Sequence, residues 1–193
     1  MYSRNVNGRE LTFGVSGLLY KANVLMYDRQ TESLWSQVRR EAVAGPMTGA
    51  RLKVLASALT TWDKWREKHP DTQVLSRDTG HSRDYSRDPY ASYYQDRKGF
   101  FSFFRTGPGE EEKALVVGVT IGEAVRAYPL DLLRKKGSLT DALGERKLIL
   151  AIDPATDQVT VRDDSDNVIP FVTVYWFVWK GMYPQTEMYP ERR

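Results

Sequence analysis

Two polar segments of the sequence concentrate the side chains that could bind a ligand or move a proton. Residues 27–37 are unusually polar for a join between two predicted strands, and they place Asp28, Arg29 and Gln37 near one end of a sheet. Residues 76–90 have no apolar period, which predicts a long loop, and long polar loops often carry binding sites. The candidate ligand residues of this loop are Arg77, Asp78, His81, Arg83, Asp84 and Tyr85.

If these side chains do chemistry, arginine orients an anionic group, and His81, Asp78 or Asp84 moves a proton. Each candidate also has a purely structural interpretation. Asp28 is equally able to bond the backbone amides of its own turn, and a buried Asp–Arg pair can hold geometry without any reaction. His81 is equally able to be a surface histidine. Both interpretations stay open at this point.

The composition excludes several kinds of site. The chain has 193 residues, two histidines and no cysteine, which excludes thiol nucleophiles, iron–sulfur clusters, Cys-ligated zinc and a three-histidine metal centre within one chain. A glycine-rich phosphate loop, a dinucleotide fingerprint and a Gly-x-Ser-x-Gly elbow are also absent from the sequence. We therefore predict no cofactor and no metal, and the residues alone do not name a reaction or decide whether the protein is an enzyme.

The charge distribution bears on the partners of the chain. The net charge is +3, with 17 basic and 11 acidic residues in residues 1–109 (+6) and 11 and 14 in residues 110–193 (−3). Basic residues mostly alternate with acidic ones, which is typical of a solvated surface rather than of a nucleic-acid interface. No run approaches the roughly 20 apolar residues of a membrane span, and the first residues do not resemble a signal peptide. We expect a small molecule or a protein as the partner.

The chain also contains an internal repeat. Six positions correspond at a constant offset of 114 (176 − 62), and four of them have identical residues: Trp62, Trp65, His69, Pro70, Thr72 and Val74 correspond to Trp176, Trp179, Tyr183, Pro184, Thr186 and Met188. We predict that each copy is a short helix, a turn and a strand. The two tryptophans of each helix lie three residues apart, so we predict that they anchor the core, and that the position of His69 and Tyr183 serves packing.

The elements upstream of the second copy have no full counterpart in the first. We predict strands over 116–121, 124–128, 147–152 and 159–161, a helix over 131–136, and tight turns at 122–123 and 153–157. In the first copy we predict only two late strands, 11–15 and 24–27, connected by residues 17–23. Because residue 115 would correspond to residue 1, we expect the opening hairpin, helix and next strand of this copy to be missing from residues 1–76.

The predicted organisation has three parts and one fold class. Residues 1–76 form an incomplete first unit, residues 77–114 a polar and aromatic insertion with a linker, and residues 115–190 a complete second unit. The class is α+β, predominantly β, with short helices. We expect either a naturally shortened protein or a start codon assigned too far downstream.

Several long motifs in one order carry a resemblance to a known family. They span residues 7–17, 28–37, 45–46, 77–90, 118–129 and 176–189, and with them the chain resembles the DUF3179 family of prokaryotic proteins of unknown function. Longer members carry a Cys-Pro-Leu-Cys segment just before the position matching Tyr2, which implies thiol redox work or soft-metal binding for those members. They are often exported. Neither property transfers to this chain, so its location stays open.

Three functions remain compatible with these observations. The leading hypothesis is a pocket for a small molecule or an ion between the 28–37 turn and the 76–90 loop. The second is a non-catalytic interaction module in which the aromatic and basic loop contacts a protein partner. The third is a fragment that has lost a thiol-redox or metal function of its longer relatives.

Overall fold

The computed structural model describes residues 1–55, 57, 60–88, 90–91 and 113–190. The strands in these residues are β1 (Asn5–Val6), β2 (Arg9–Glu10), β3 (Phe13–Tyr20), β4 (Asn23–Asp28), β5 (Leu34–Ser36), β6 (Glu41–Ala44), β7 (Leu115–Ile121), β8 (Ala124–Pro129), β9 (Ser138–Leu143), β10 (Arg146–Asp153), β11 (Gln158–Asp163), β12 (Phe171–Tyr175) and β13 (Glu187–Met188). The helices are α1 (Trp62–Lys68), α2 (Leu130–Lys136) and α3 (Trp176–Met182). The predicted class, α+β and predominantly β, is confirmed.

Strands β3 to β6 form an antiparallel sheet in which neighbours in sequence are also neighbours in space. Trp35 is fully buried in this sheet, and the ring of Phe13 packs edge-on against it with ring centroids 5.7 Å apart. Val6, Leu11 and Leu52 complete the cluster around Trp35. This small core holds the end of β4, where Asp28 lies, in a fixed position.

The connection between β3 and β4 is shorter than the sequence predicts. The prediction assigns residues 17–23 to the connection, whereas β3 extends to Tyr20 and β4 begins at Asn23. Only Lys21 and Ala22 make the turn, with φ of 48° and 64°. The prediction was wrong because two-residue hairpin turns of this kind are normally marked by Asn-Gly or Asp-Gly, and Lys-Ala carries no such mark.

Residues 113–190 form two further sheets around the largest core cluster. Their strand orders are β12-β7-β8-β13 and β11-β10-β9. Leu148 and Leu150 of β10 pack with Val117 of β7, Tyr128 of β8 and Leu133 of α2. The predicted hairpin β7–β8, helix α2, strands β10 and β11 and the turn between them are confirmed, whereas β9 and β12 were not predicted.

Helix α3 packs its two tryptophans against the sheet that contains β7. Trp176 and Trp179 are 6% and 1% exposed. A Cβ on Gly118 of β7 would lie 2.4 Å from the ring of Trp179, so the ring needs a glycine beneath it. Val38, from the β5–β6 connection, belongs to the same buried cluster, which therefore joins the first sheet to the second half of the chain.

Helix α1 makes the same local contacts as α3, but its tryptophans are not buried as those of α3 are. The indole N–H of Trp65 donates to the hydroxyl of Thr72 at 2.9 Å, and that of Trp179 donates to Thr186 at 2.9 Å. Trp62 and Trp65 are nevertheless 46% and 42% exposed. The prediction that the tryptophans anchor the core is therefore correct for α3 and wrong for α1.

The strand predicted after each helix likewise forms only once. After α3, β13 pairs in parallel with β8 through Glu187 and Met188. After α1, residues 72–76 are not a strand, and Val74 and Leu75 are 66% and 95% exposed. The prediction fails in the first copy because a short segment needs a neighbouring strand, and in the described residues no strand equivalent to β8 lies beside this one.

Candidate functional site

Asp28 is fully buried at the end of β4. Its carboxylate accepts hydrogen bonds from the indole N–H of Trp35 at 2.8 Å and from the amide and hydroxyl of Thr31 at 2.6 and 2.8 Å. The Thr31 hydroxyl lies 2.6 Å from that of Ser33, which accepts a hydrogen bond from the amide of Met47 at 3.0 Å. Asp28 is thus the centre of a network that ties its turn to the loop after β6.

The turn that begins at Asp28 has a counterpart between β10 and β11. Asp153 accepts a hydrogen bond from the hydroxyl of Thr156 at 2.7 Å, as Asp28 does from Thr31. The residue after each threonine, Glu32 or Asp157, has φ of 57° or 58° and donates its amide to the aspartate carbonyl. The spacing Asp-x-x-Thr is visible in the sequence at both places. It indicates that Asp28 forms a turn, which is one of the two interpretations given for it above.

Hydrogen bonding decides the protonation state of two buried carboxylates, those of Asp28 and Asp163. Burial alone would raise the pKa of Asp28, but the hydrogen bonds from Trp35 and Thr31 outweigh it and hold the pKa below its ordinary value. The same holds for Asp163 at the end of β11, where burial is outweighed by hydrogen bonds from Asn167 and by other donors. Both carboxylates are therefore stabilised as anions in the folded chain.

We expect acid to destabilise the fold for this reason. A carboxyl whose pKa is depressed by folding stabilises the native state above its unfolded pKa, here 3.8, and this stabilisation is lost as the pH falls through the folded pKa. Thermal unfolding followed by circular dichroism should show a steady midpoint from pH 7 to about pH 5 and a falling midpoint below about pH 4. Asp163→Asn should show a shallower acid fall. A midpoint that does not change down to about pH 2.5 would contradict the prediction.

Arg29 and Gln37 are the other two candidates in residues 27–37, and their surroundings differ from those of Asp28. Arg29 is exposed, and its guanidinium donates to the hydroxyl of Tyr27 at 2.8 Å and lies 5.4 Å from the centre of that ring. Gln37 is partly buried, and its backbone carbonyl accepts a hydrogen bond from the Tyr2 hydroxyl at 2.6 Å. The side-chain oxygen of Gln37 is buried without a hydrogen-bond partner among the described residues. Gln37 thus faces a different neighbourhood from Asp28.

The candidates of the second segment lie on an exposed stretch whose hydrogen bonds are local. The hydroxyls of Thr79 and Tyr85 are 2.8 Å apart, and Asp84 accepts hydrogen bonds from the hydroxyl and amide of Ser86 at 2.5 and 2.9 Å. These bonds, the hydroxyl first, hold the pKa of Asp84 below its usual range. The remaining candidates of this stretch are also exposed: Arg77, Asp78, His81 and Arg83.

The structure does not join the two segments. Among the described residues, no hydrogen bond or ion pair links the 76–88 stretch to the 27–37 turn. The pocket between them therefore stays a prediction, and within the first segment Asp28 already has its oxygens occupied by its own turn.

A polar cluster that was not predicted from the sequence lies between the β5–β6 connection and the end of α3. We call Tyr2, Arg39, Arg40 and Tyr183 the Arg–Tyr cluster. Arg40 has φ of 61°, an uncommon conformation for a residue that is not glycine, and its guanidinium donates to the hydroxyl of Thr120 in β7. Arg39 donates to Glu41 at 2.7 Å. The cluster thus contains one arginine paired with a carboxylate and one paired with a neutral hydroxyl.

The charge of Arg40 acts on both tyrosines of the cluster. Burial raises the pKa of Tyr2 and of Tyr183, and the Arg40 guanidinium lowers both without cancelling the effect of burial. Both hydroxyls therefore stay protonated at neutral pH, where they are hydrogen-bond donors. The adjacent Arg39-Arg40 pair is visible in the sequence, but its tyrosine neighbours come from positions far away in the chain, so no local pattern identifies the cluster.

Two further properties concern ligands and membranes. In the part of the chain that the structure describes, no three His, Asp or Glu side chains are grouped so that they could hold a metal ion. None of the helices in that part is long and apolar enough to cross a bilayer.

Comparisons with known proteins give one match. A family model described as "Protein of unknown function (DUF3179)" matches residues 1–186. No curated protein and no solved structure matches the chain. The match covers nearly the whole chain and agrees with the resemblance that its motifs carry.

Proposed function

The chain belongs to this DUF3179 family of proteins of unknown function, and we propose that it is a binding protein whose Arg–Tyr cluster holds a small anion such as a carboxylate or a phosphate. The observation that carries the proposal is the position of Arg40, a cation whose hydrogen bond goes to the neutral Thr120 hydroxyl. A guanidinium has five N–H donors, so most of its capacity remains for an anionic partner.

The neighbours of Arg40 support this ligand class. The hydroxyl of Tyr183 is a protonated donor within the field of the Arg40 charge, whereas the Tyr2 hydroxyl already donates to the Gln37 carbonyl. Arg39 adds a second guanidinium, although Glu41 neutralises much of it. Donors of this kind, partly shielded from water, favour a compact anion over a neutral sugar or a cation.

The conformation of Arg40 helps to place its side chain. Its φ of 61° belongs to a tight turn in which its amide donates to the Ser36 carbonyl at 2.8 Å, as the amides of Glu32 and Asp157 do in their turns. The Thr120 hydroxyl then holds the guanidinium of Arg40 from the other half of the chain.

The proposal is tested by measuring the affinity for two probe anions, inorganic phosphate and citrate, by isothermal titration calorimetry. We expect saturable binding of at least one, and we expect Arg40→Ala to weaken it about tenfold to a hundredfold, because a charge-assisted hydrogen bond contributes about 1.5–3 kcal/mol. Arg9→Ala removes the same charge from the exposed strand β2 and is the matched control.

Three outcomes would contradict the proposal. Neither probe binds at millimolar concentration, Arg40→Ala binds as tightly as the unaltered chain, or Arg9→Ala weakens binding as much as Arg40→Ala. If Arg29→Ala weakens binding and Arg40→Ala does not, the anion binds at the 28–37 turn, which is one side of the pocket that the leading hypothesis from the sequence predicts.

A further inference from the structure

Arg51 places a third guanidinium beside the Arg–Tyr cluster. The segment that carries it runs along the turn of Arg40, where the Leu52 amide donates to the Arg40 carbonyl at 2.8 Å. Arg51 itself forms a β-bridge with Glu41, the residue that follows this turn. Two residues after Leu52, the same segment forms a second bridge, with Tyr2. Backbone pairing thus holds Arg51 next to two members of the cluster.

The carboxylate of Glu41 is shared between two of the three arginines. Its Oε1 accepts a hydrogen bond from the Nε of Arg39 at 2.7 Å, and its Oε2 lies 3.5 Å from the guanidinium of Arg51. The guanidinium of Arg40 donates to the neutral Thr120 hydroxyl. One carboxylate carries a single negative charge, so these three cations and one anion leave an excess of two positive charges.

The hydroxyl of Tyr183 lies within the field of all four charged groups. Burial raises the pKa of this phenol, and the charges of Arg40, Arg39 and Arg51 lower it without cancelling that effect. The Glu41 carboxylate adds to the increase. The phenol is therefore a neutral donor at a place where the fields of three guanidinium groups overlap.

The excess of positive charge favours an anion with two negative charges. The Coulomb energy is proportional to the product of the charges, so a second negative charge on the ligand doubles its attraction to the same site. The side chain of Arg51 is 77% exposed, so an anion beside it keeps part of its hydration. Guanidinium groups also match the oxygen atoms of phosphate in geometry, because their N–H donors form a planar fork.

We propose that the Arg–Tyr cluster selects a compact dianion, such as a phosphate monoester, over a monocarboxylate, and that Arg51 is one of the residues that bind it. This inference rests on the proposed function, because it concerns the same site. It narrows the ligand class from any small anion to one whose charge equals the excess at the site.

Sulfate and methanesulfonate are the probes, because both are tetrahedral oxyanions and sulfate has one more negative charge. In isothermal titration calorimetry with the full chain, we expect sulfate to bind at least about tenfold more tightly. Arg51→Ala should weaken the binding of methanesulfonate about threefold and that of sulfate about tenfold. The second factor is about the square of the first, because the Coulomb energy is proportional to the charge of the ligand.

Two further variants separate charge from position. Glu41→Gln keeps the size of the side chain and removes its charge, so sulfate should bind about tenfold more tightly to this variant. Arg162→Ala is the matched control for Arg51→Ala, because it removes another partly exposed arginine that is paired with a carboxylate, that of Asp166 at 3.2 Å. The affinities for both probes should not change in this control. Circular dichroism verifies that each variant is folded.

The outcomes distinguish this inference from the proposed function. Equal affinities for the two probes, or unchanged sulfate binding by Arg51→Ala, would overturn the inference and leave an anion site at Arg40. The same conclusion follows if phosphate or citrate binds through Arg40 and sulfate does not bind. Weaker sulfate binding by Glu41→Gln would show that this carboxylate positions the arginines, and it would also overturn the inference. If none of the four anions binds, the proposed function fails, and this inference fails with it.

Discussion

Replacement of Trp179 by alanine should lower the free energy of unfolding by about 4 kcal/mol, the cost of removing a large buried aromatic side chain. The ring is 1% exposed and packs over Gly118 of β7. No other side chain can fill this space unless β7 rearranges. Because the total stability of a domain is about 5–15 kcal/mol, this single change should bring the chain close to unfolding. Urea denaturation followed by far-UV circular dichroism measures the loss.

Trp65→Ala is the matched control for this prediction. It removes the same side chain and the same hydrogen bond to a threonine, at 2.9 Å in both places, but from a ring that is 42% exposed. We expect a loss of about 1 kcal/mol, which is the size of one exposed hydrogen bond with its local contacts. Equal losses in the two variants would show that the helix–turn contacts, and not burial against β7, determine the stability at Trp179.

Replacement of Asp28 by alanine should lower the free energy of unfolding by about 3 kcal/mol. The change removes the acceptor of three hydrogen bonds and leaves the fully buried indole N–H of Trp35 without a partner. An unsatisfied buried donor costs about 1–3 kcal/mol, and lost hydrogen bonds to a charged group add to it. Thermal and urea denaturation measure the loss, and the near-UV spectrum should report a changed environment of Trp35.

The Asp-x-x-Thr turn at Asp153 supplies the comparison. Asp153→Ala removes the same hydrogen bond to a threonine hydroxyl, but this aspartate is exposed and bonds no buried indole. Its loss of stability should therefore be clearly smaller than that of Asp28→Ala. If the two losses are equal, the turn itself is what matters, and the buried network that runs from Asp28 through Ser33 to Met47 contributes little.

The elements that the sequence predicts correctly are those with strong local signals. The hairpin β7–β8 has a largely apolar strand on each side of Gly122-Glu123, and the C-cap of α2 is Gly137 with φ of 76°. Strand β12 was missed because its apolar residues continue directly into the equally apolar start of α3, so that no change of period marks the boundary. The β3–β4 turn was missed because Lys21 and Ala22 adopt left-handed conformations that their residue types do not indicate.

The candidate sites also differ in whether a local sequence signal marks them. The sequence identified Asp28 because it stands in a polar segment, but its role in the buried network depends on Trp35 reaching it with an indole N–H, which only the folded sheet determines. The Arg–Tyr cluster could not be identified from the sequence because Tyr2, Arg40 and Tyr183 are brought together by tertiary packing. The offset of 114 residues predicts that α1 and α3 are related, whereas their different burial depends on which strands lie beside each helix.

The strand order β12-β7-β8-β13 has a consequence for how the protein is made. The two central strands of this sheet are synthesised first, and the strands that flank them on either edge come from the last part of the matched region. Val117 and Val119 of β7 pack against elements that are synthesised before α3, whereas Val116 packs in the cluster that contains the α3 tryptophans. The part of the core around Val116 can therefore be completed only after α3 has been synthesised.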